Sequence, residues 1–193
     1  MEKEALKKLR EQTGISMQEC KKALDEAAGD IEQAKKILRE KGQQMIKDRS
    51  DKPASSGIVD TYIHANGKIG VLLQLLCESD FVAKSSDFRM LAHDICLQIA
   101  SSKPLFVKAS DIDSDFLDGE RKIYQKQFAD SGKPEKIVSQ IIEGKIKKYT
   151  DEVCLLSQVF VKNSDKTIQG LIDDVRAKVG ERVEVGKFAR FEI

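Results

Sequence analysis

The hydrophobic period of the chain changes near residue 57, and this change constrains the fold more than any other feature. Before it, apolar residues recur at helical spacing: Leu6 and Leu9, then Cys20, Ala23, Leu24 and Ala27, then Ile31, Ala34, Ile37 and Leu38. After it, Ile58-Val59-Asp60-Thr61-Tyr62-Ile63-His64 and Gly70-Val71-Leu72-Leu73-Gln74-Leu75-Leu76 read as strands. Asn66-Gly67 between them signals a hairpin, because both residues tolerate positive φ. The partner strand is expected from Ile69 to about Cys77. A chain with both periods needs a helical unit followed by a sheet.

Residues 1–41 predict three short helices. The first stops near Thr13-Gly14, where glycine supplies a left-handed exit. The second opens at Ser16-Met17-Gln18-Glu19, a capping-box pattern, and the third opens at Gly29-Asp30 with Asp30 as cap. Such a bundle buries little area and leaves a face free for docking. Residues 42–56 lose the periodicity and end rich in Ser and Pro, the composition of a linker with a helical first half. Residues 57–193 then form the larger core unit. After the hairpin, helices are expected near Ser86–Ser101, Asp113–Ala129, Pro134–Lys148 and Thr167–Lys178, with Pro134 at a first helical position and Gly180 closing the last. The end of the chain, Arg182–Ile193, alternates as a strand. Its register slips near Gly186, before Ala189, Phe191 and Ile193, which suggests a bulge. Hairpin, helical block and final strand together predict an α+β core, a three-stranded antiparallel sheet with helices packed on one face.

Cys77-Glu78-Ser79-Asp80-Phe81-Val82-Ala83-Lys84 lies where the second strand ends, and Ser85-Ser86-Asp87 caps the next helix. An aromatic side chain beside a carboxylate is an odd pair for a solvated loop. Asp80 can reach a cation or a backbone donor. Phe81 either folds into its own core or acts as a wedge into another protein.

The chemistry the chain omits is equally informative. Its 33 Lys and Arg against 32 Asp and Glu leave a formal charge of +1, so there is no basic excess to displace phosphate counterions and no direct nucleic-acid partner is expected. No apolar run is long enough for a membrane span, and the N-terminus begins as an amphipathic helix without a secretory stretch, so a cytoplasmic location is expected. Cys20, Cys77, Cys96 and Cys154 lack zinc or redox spacing and read as buried reduced thiols; with only His64 and His93 to join them, no metal is expected. The sequence has no phosphate loop, no dinucleotide fingerprint and no nucleophile elbow, so neither a cofactor nor an enzyme activity is expected.

Several motifs resemble those of the bacterial elongation factor Ts family, and the resemblance covers nearly the whole chain. Thr13-Gly14-Ile15-Ser16-Met17-Gln18-Glu19-Cys20-Lys21-Lys22-Ala23-Leu24, with Gly29-Asp30-Ile31-Glu32 and Ala34, is similar to its N-terminal domain, a three-helix fold like ubiquitin-associated domains. Ser79-Asp80-Phe81-Val82-Ala83-Lys84 is similar to its core loop, usually written Thr-Asp-Phe-Val. Ser131-Gly132-Lys133-Pro134, Glu143-Gly144-Lys145, Lys147-Lys148-Tyr149 and Arg190-Phe191-Glu192-Ile193 match the rest of the core.

The resemblance implies a guanine nucleotide exchange factor for elongation factor Tu, a GTPase of translation elongation. It implies that Ser79, Asp80, Phe81 and Val82 enter the GTPase near its magnesium site, with Phe81 as wedge. It further implies that Met17, Gln18 and Lys21 form the docking face of the N-terminal unit; Gln18 stands where the family often has an apolar residue. His64, in a Tyr-x-His context, is either a further partner contact or a packed strand-end histidine. With one core copy the chain resembles the short form of the family, in which two copies form a homodimer through the sheet region. The alternative is a ubiquitin-associated-type protein-binding module joined to an unrelated core.

Overall fold

The computed structural model describes residues 2–48, 53–129, 132 and 134–193. Part of the expected linker, residues 49–52, and Ser131 and Lys133 of the Ser-Gly-Lys-Pro motif lie outside the described residues. Helices α1 (Glu2–Thr13), α2 (Met17–Glu26) and α3 (Ile31–Asp48) form the N-terminal unit, with the expected caps at Gly14, Ser16 and Asp30. Gly14, at φ +69°, closes α1 through its N–H to the Arg10 carbonyl at 2.8 Å. Ser16 Oγ accepts the Glu19 N–H at 3.3 Å, but the other half of the expected capping box is engaged elsewhere, since the Glu19 carboxylate holds Lys22 Nζ at 2.8 Å. Asp30 Oδ1 accepts the Glu32 and Gln33 N–H groups at 2.8 and 3.0 Å and starts α3. Leu9, Cys20, Ala23, Leu24, Ala27, Ala34 and Leu38 form one small buried cluster between these helices.

α3 runs on past residue 41 to Asp48. Gly42 sits in its interior, where glycine costs about 1 kcal/mol against alanine. The reason is packing against a later helix, α8 (Ile168–Val179): a Cβ at Gly42 would lie 3.1 Å from Ala177 Cβ. Lys178 of α8 likewise lies over Gly14, with its Cε 3.0 Å from the place a Cβ would take.

β1 (Ser56–Ile63) and β2 (Ile69–Cys77) pair antiparallel, and β5 (Val183–Glu192) pairs antiparallel on the other side of β2, giving the order β1-β2-β5. The hairpin turn differs from the expected one: Gly67 alone takes a positive φ, +69°, while its N–H closes on the His64 carbonyl at 2.8 Å. The loop is therefore longer than the two residues Asn66-Gly67. The slip in β5 is a real irregularity, because Leu73 faces Phe188 but Leu75 faces Val185. Val183 and Val185 enter the core, and beyond the slip Ala189 and Phe191 turn to the opposite face.

Between β2 and β5 the chain forms α4 (Asp80–Ala83), α5 (Ser86–Ser102), α6 (Ser114–Phe128), α7 (Glu135–Val153), the strands β3 (Val159–Phe160) and β4 (Asn163–Thr167), and α8. The β3–β4 hairpin has no counterpart in the sequence reading. Pro134 precedes α7 as its cap, with ψ of 140°, instead of occupying the first helical position. α5 and α8 cover one face of the sheet, where Val71, Leu73, Leu75 and Cys77 meet Phe88, Leu91, Ile95, Ile99, Ile168 and Ile172. This is the α+β arrangement expected. On the opposite face Val59, Ile63, Leu72 and Phe191 are exposed.

Candidate functional site

The loop after β2 is built by the abrupt end of a strand ladder. The last paired residues are Cys77 and Val183. Ser79 is still extended, with φ −130° and ψ 153°, and its Oγ accepts the Val82 N–H at 3.3 Å, which starts the single turn α4. Ser85 repeats the device for α5, accepting the Phe88 N–H at 3.3 Å. Asp80 and Phe81 therefore occupy the first two positions of a short turn capped by serine and followed closely by a second capped helix.

The two readings of Phe81 now separate. Its side chain is 86 % exposed, whereas Val82 beside it is 4 % exposed and belongs to the main core. Val82 thus fastens the turn from below while Phe81 stands clear of it. Seven residues on, Phe88 of α5 is fully buried, so the two phenylalanines have opposite surroundings. Asp80 is exposed and accepts the hydroxyl of Ser56, at the start of β1. Next to that serine, Gly57 has φ +150° and a Cβ there would lie 2.2 Å from the Leu75 carbonyl oxygen, so only glycine admits this close approach of β1 to β2.

Two carboxylates that sequence reasoning did not single out hold the loop. Glu181, in the turn between α8 and β5, accepts the Ser79 N–H at 3.0 Å and the Ser79 hydroxyl at 2.7 Å. Glu78 reciprocates by accepting the Arg182 N–H at 2.7 Å. These contacts join residues more than a hundred positions apart, and no local pattern signals them. Burial pushes the neighbouring Cys77 thiol up from its ordinary value, and the Glu181 carboxylate adds to the effect.

The other expected site residues lie elsewhere. Met17 opens α2 and is exposed, as are Gln18 and Lys21. Met17 and Lys21 stand four positions apart and so share one face of the helix. His64 sits at the hairpin, exposed, with its Nδ1 3.0 Å from the Tyr62 hydroxyl. Among the described residues, no three or more His, Cys, Asp or Glu side chains gather as metal ligands. Nor is any described helix long and apolar enough to cross a membrane.

The family profile described as Elongation factor TS matches residues 2–193. Over 97 % of this chain, elongation factor Ts of Desulforamulus reducens is 49 % identical, with 87 % of that protein covered. Elongation factor Ts of Moorella thermoacetica is 47 % identical over the same share of the chain and 93 % of its own length. The Thermotoga petrophila elongation factor Ts is 44 % identical, with 94 % of its length covered. A match of this extent, on a chain whose exposed Asp80-Phe81 turn is mounted on an α+β core, leads to one conclusion: the chain belongs to the elongation factor Ts family.

Proposed function

We propose that this chain is the guanine nucleotide exchange factor of elongation factor Tu, and that it acts by inserting the Asp80-Phe81 turn near the magnesium and nucleotide site of that GTPase. The observation that carries the reading is the exposure of Phe81 on a turn that Val82 and Ser79 fasten to the core. A large apolar side chain held in water has free energy to release when it enters a partner. Asp80 brings a carboxylate to the same place, where it competes for cations or donors that otherwise hold the nucleotide. Ser79 and Val82 contribute by fixing the turn.

Exchange of this kind makes and breaks no covalent bond. The factor makes contacts that exist only when nucleotide is loosely held, so factor and nucleotide weaken each other through one coupling free energy. Each ~1.4 kcal/mol removed from the release barrier gives about tenfold in rate. Burying one phenylalanine supplies about 1.5–3 kcal/mol, so further contacts must contribute. Residues 1–41 are assigned the docking role, through Met17, Gln18 and Lys21, and His64 a secondary contact. The α+β core carries the loop.

A second copy of the chain is the partner assigned to the uncovered sheet face. Ile63, Gly70 and Phe191 are aligned across the three strands, as are Thr61, Leu72 and Ala189, so the exposed apolar residues form one contiguous surface. β1 and β5 are also both edge strands.

The test is release of fluorescent GDP from elongation factor Tu with this chain at substoichiometric concentration. Faster release with turnover is expected. Unchanged release, or tight binding of GDP by the isolated chain, overturns the proposal.

A further inference from the structure

We infer that Glu181 is a positioning residue for the Asp80-Phe81 turn, acting through Ser79; the inference rests on the exchange function proposed above. The β2–β5 ladder ends at Cys77 and Val183. One step beyond, backbone pairing is replaced by side-chain carboxylates crossing in both directions. Glu181 takes both donors of Ser79, the N–H at 3.0 Å and the hydroxyl at 2.7 Å, and Glu78 takes the Arg182 N–H at 2.7 Å. Charge-assisted hydrogen bonds of this kind are roughly twice as strong as neutral ones.

The consequence lies in the direction of the serine hydroxyl. Ser79 Oγ donates its only proton to Glu181, which leaves its lone pairs to accept the Val82 N–H at 3.3 Å. The carboxylate thus orients the cap that starts α4, and α4 carries Phe81. Without Glu181 the hydroxyl is free to rotate, the Ser79 N–H must find water, and the turn samples orientations in which Phe81 is displaced. Ordering it again in the complex costs free energy at the moment the partner's site is entered. Glu181 itself need not touch the partner for this effect.

The mounting also has a defined origin. Glu181 follows Gly180, which ends α8 in the left-handed conformation at φ +70°, and Lys178 of the same helix reaches Asp87 of α5 at 3.3 Å. The turn bearing Phe81 is therefore referenced to α8, the helix against which Gly42 of α3 is packed.

The experiment compares the unsubstituted chain with Glu181→Ala and Glu181→Gln. It measures the maximal rate of GDP release, the factor concentration giving half that rate, the melting temperature, and hydrogen exchange of the Ser79 and Val82 amides in the free protein. Glu181→Ala is expected to lower the maximal rate about fivefold to tenfold, that is by about 1–1.4 kcal/mol, with a smaller change in half-saturating concentration. It is also expected to speed exchange of both amides. Glu181→Gln keeps one acceptor and is expected to fall between. Glu181→Ala and Glu181→Gln variants that melt normally and release GDP as fast as the unsubstituted chain overturn the positioning role alone. Should Glu181→Ala fail to fold, an undiminished rate in Glu181→Gln overturns it equally. No acceleration by the unsubstituted chain overturns the exchange reading itself, and the amide exchange then reports the clamp separately.

Discussion

Replacing Phe81 and Phe88 by alanine, one at a time, tests the display of the wedge with an internal control. Phe88 is fully buried among Leu91, Ile95 and the β2 side chains, and removing such a ring costs about 3–5 kcal/mol through lost transfer energy and the cavity left. At about 2–4 °C per kcal/mol for a chain of this size, its melting temperature is expected to fall by roughly 6–20 °C. Phe81 is 86 % exposed, so its truncation leaves no cavity and is expected to shift melting by less than about 2 °C. The cost appears instead in the complex. Full burial of a phenylalanine is worth about 1.5–3 kcal/mol, and the 86 % that is still exposed leaves about 1.3–2.6 kcal/mol to be gained on insertion. That corresponds to a loss of about tenfold to eightyfold in GDP release from elongation factor Tu. Calorimetric melting and stopped-flow release on the same samples decide the matter. A large drop in melting temperature for Phe81→Ala, or an unchanged release rate, refutes the wedge reasoning.

Met17→Ala combined with Lys21→Ala is expected to leave melting unchanged, since both side chains are exposed, but to weaken binding to elongation factor Tu about tenfold, measured by titration calorimetry. Replacing Ile63 and Phe191 by lysine is expected to turn a dimer into a monomer in sedimentation equilibrium; an unsubstituted chain already monomeric at high micromolar concentration contradicts the sheet-face assignment. Burial, with the Asp60 carboxylate adding to it, pushes the Cys96 thiol up to about 12 from an ordinary 9.0. The folded protein therefore keeps a proton that the unfolded chain releases, so this contribution is complete below pH 9 and lost as pH rises from about 9 to 12. Denaturation midpoints of Cys96→Ala are expected to fall less steeply with pH over that window than those of the unsubstituted chain. Thiol reagents at pH 8 are expected to modify all four cysteines only after denaturation.

The parts of the fold legible in the sequence are those set by local physics. The alternation in β1 and β2, the serine caps at Ser16 and Ser85, the left-handed Gly14 and Gly180, and the slip at Gly186 all act within a few residues. What sequence missed is set by contacts distant along the chain. The helical first half expected of residues 42–56 is continuous with α3, and that continuity through Gly42 rests on Ala177, which accepts a helix with no side chain at that point. The β3–β4 hairpin consists of two residues, Val159 and Phe160, facing a polar strand that lacks alternation. Its neighbourhood is tied down instead by the buried Gln98 side chain, which accepts the Val161 N–H at 2.9 Å and donates to the Val159 carbonyl at 3.1 Å. For the site, the Asp80-Phe81 pair was legible as an anomaly of composition at a strand end. Its mounting on Glu181 and Ser56 was not, because nothing near those residues marks them as partners of the loop.

The measurement that tests exchange most directly is the affinity of the unsubstituted chain for elongation factor Tu, determined once on the nucleotide-free GTPase and once at saturating GDP. Linkage requires the factor by which GDP weakens binding of the chain to equal the factor by which the chain weakens binding of GDP. A strong preference for the nucleotide-free form is expected, lost together with its reciprocal in Phe81→Ala. Equal affinity for the two forms would contradict it.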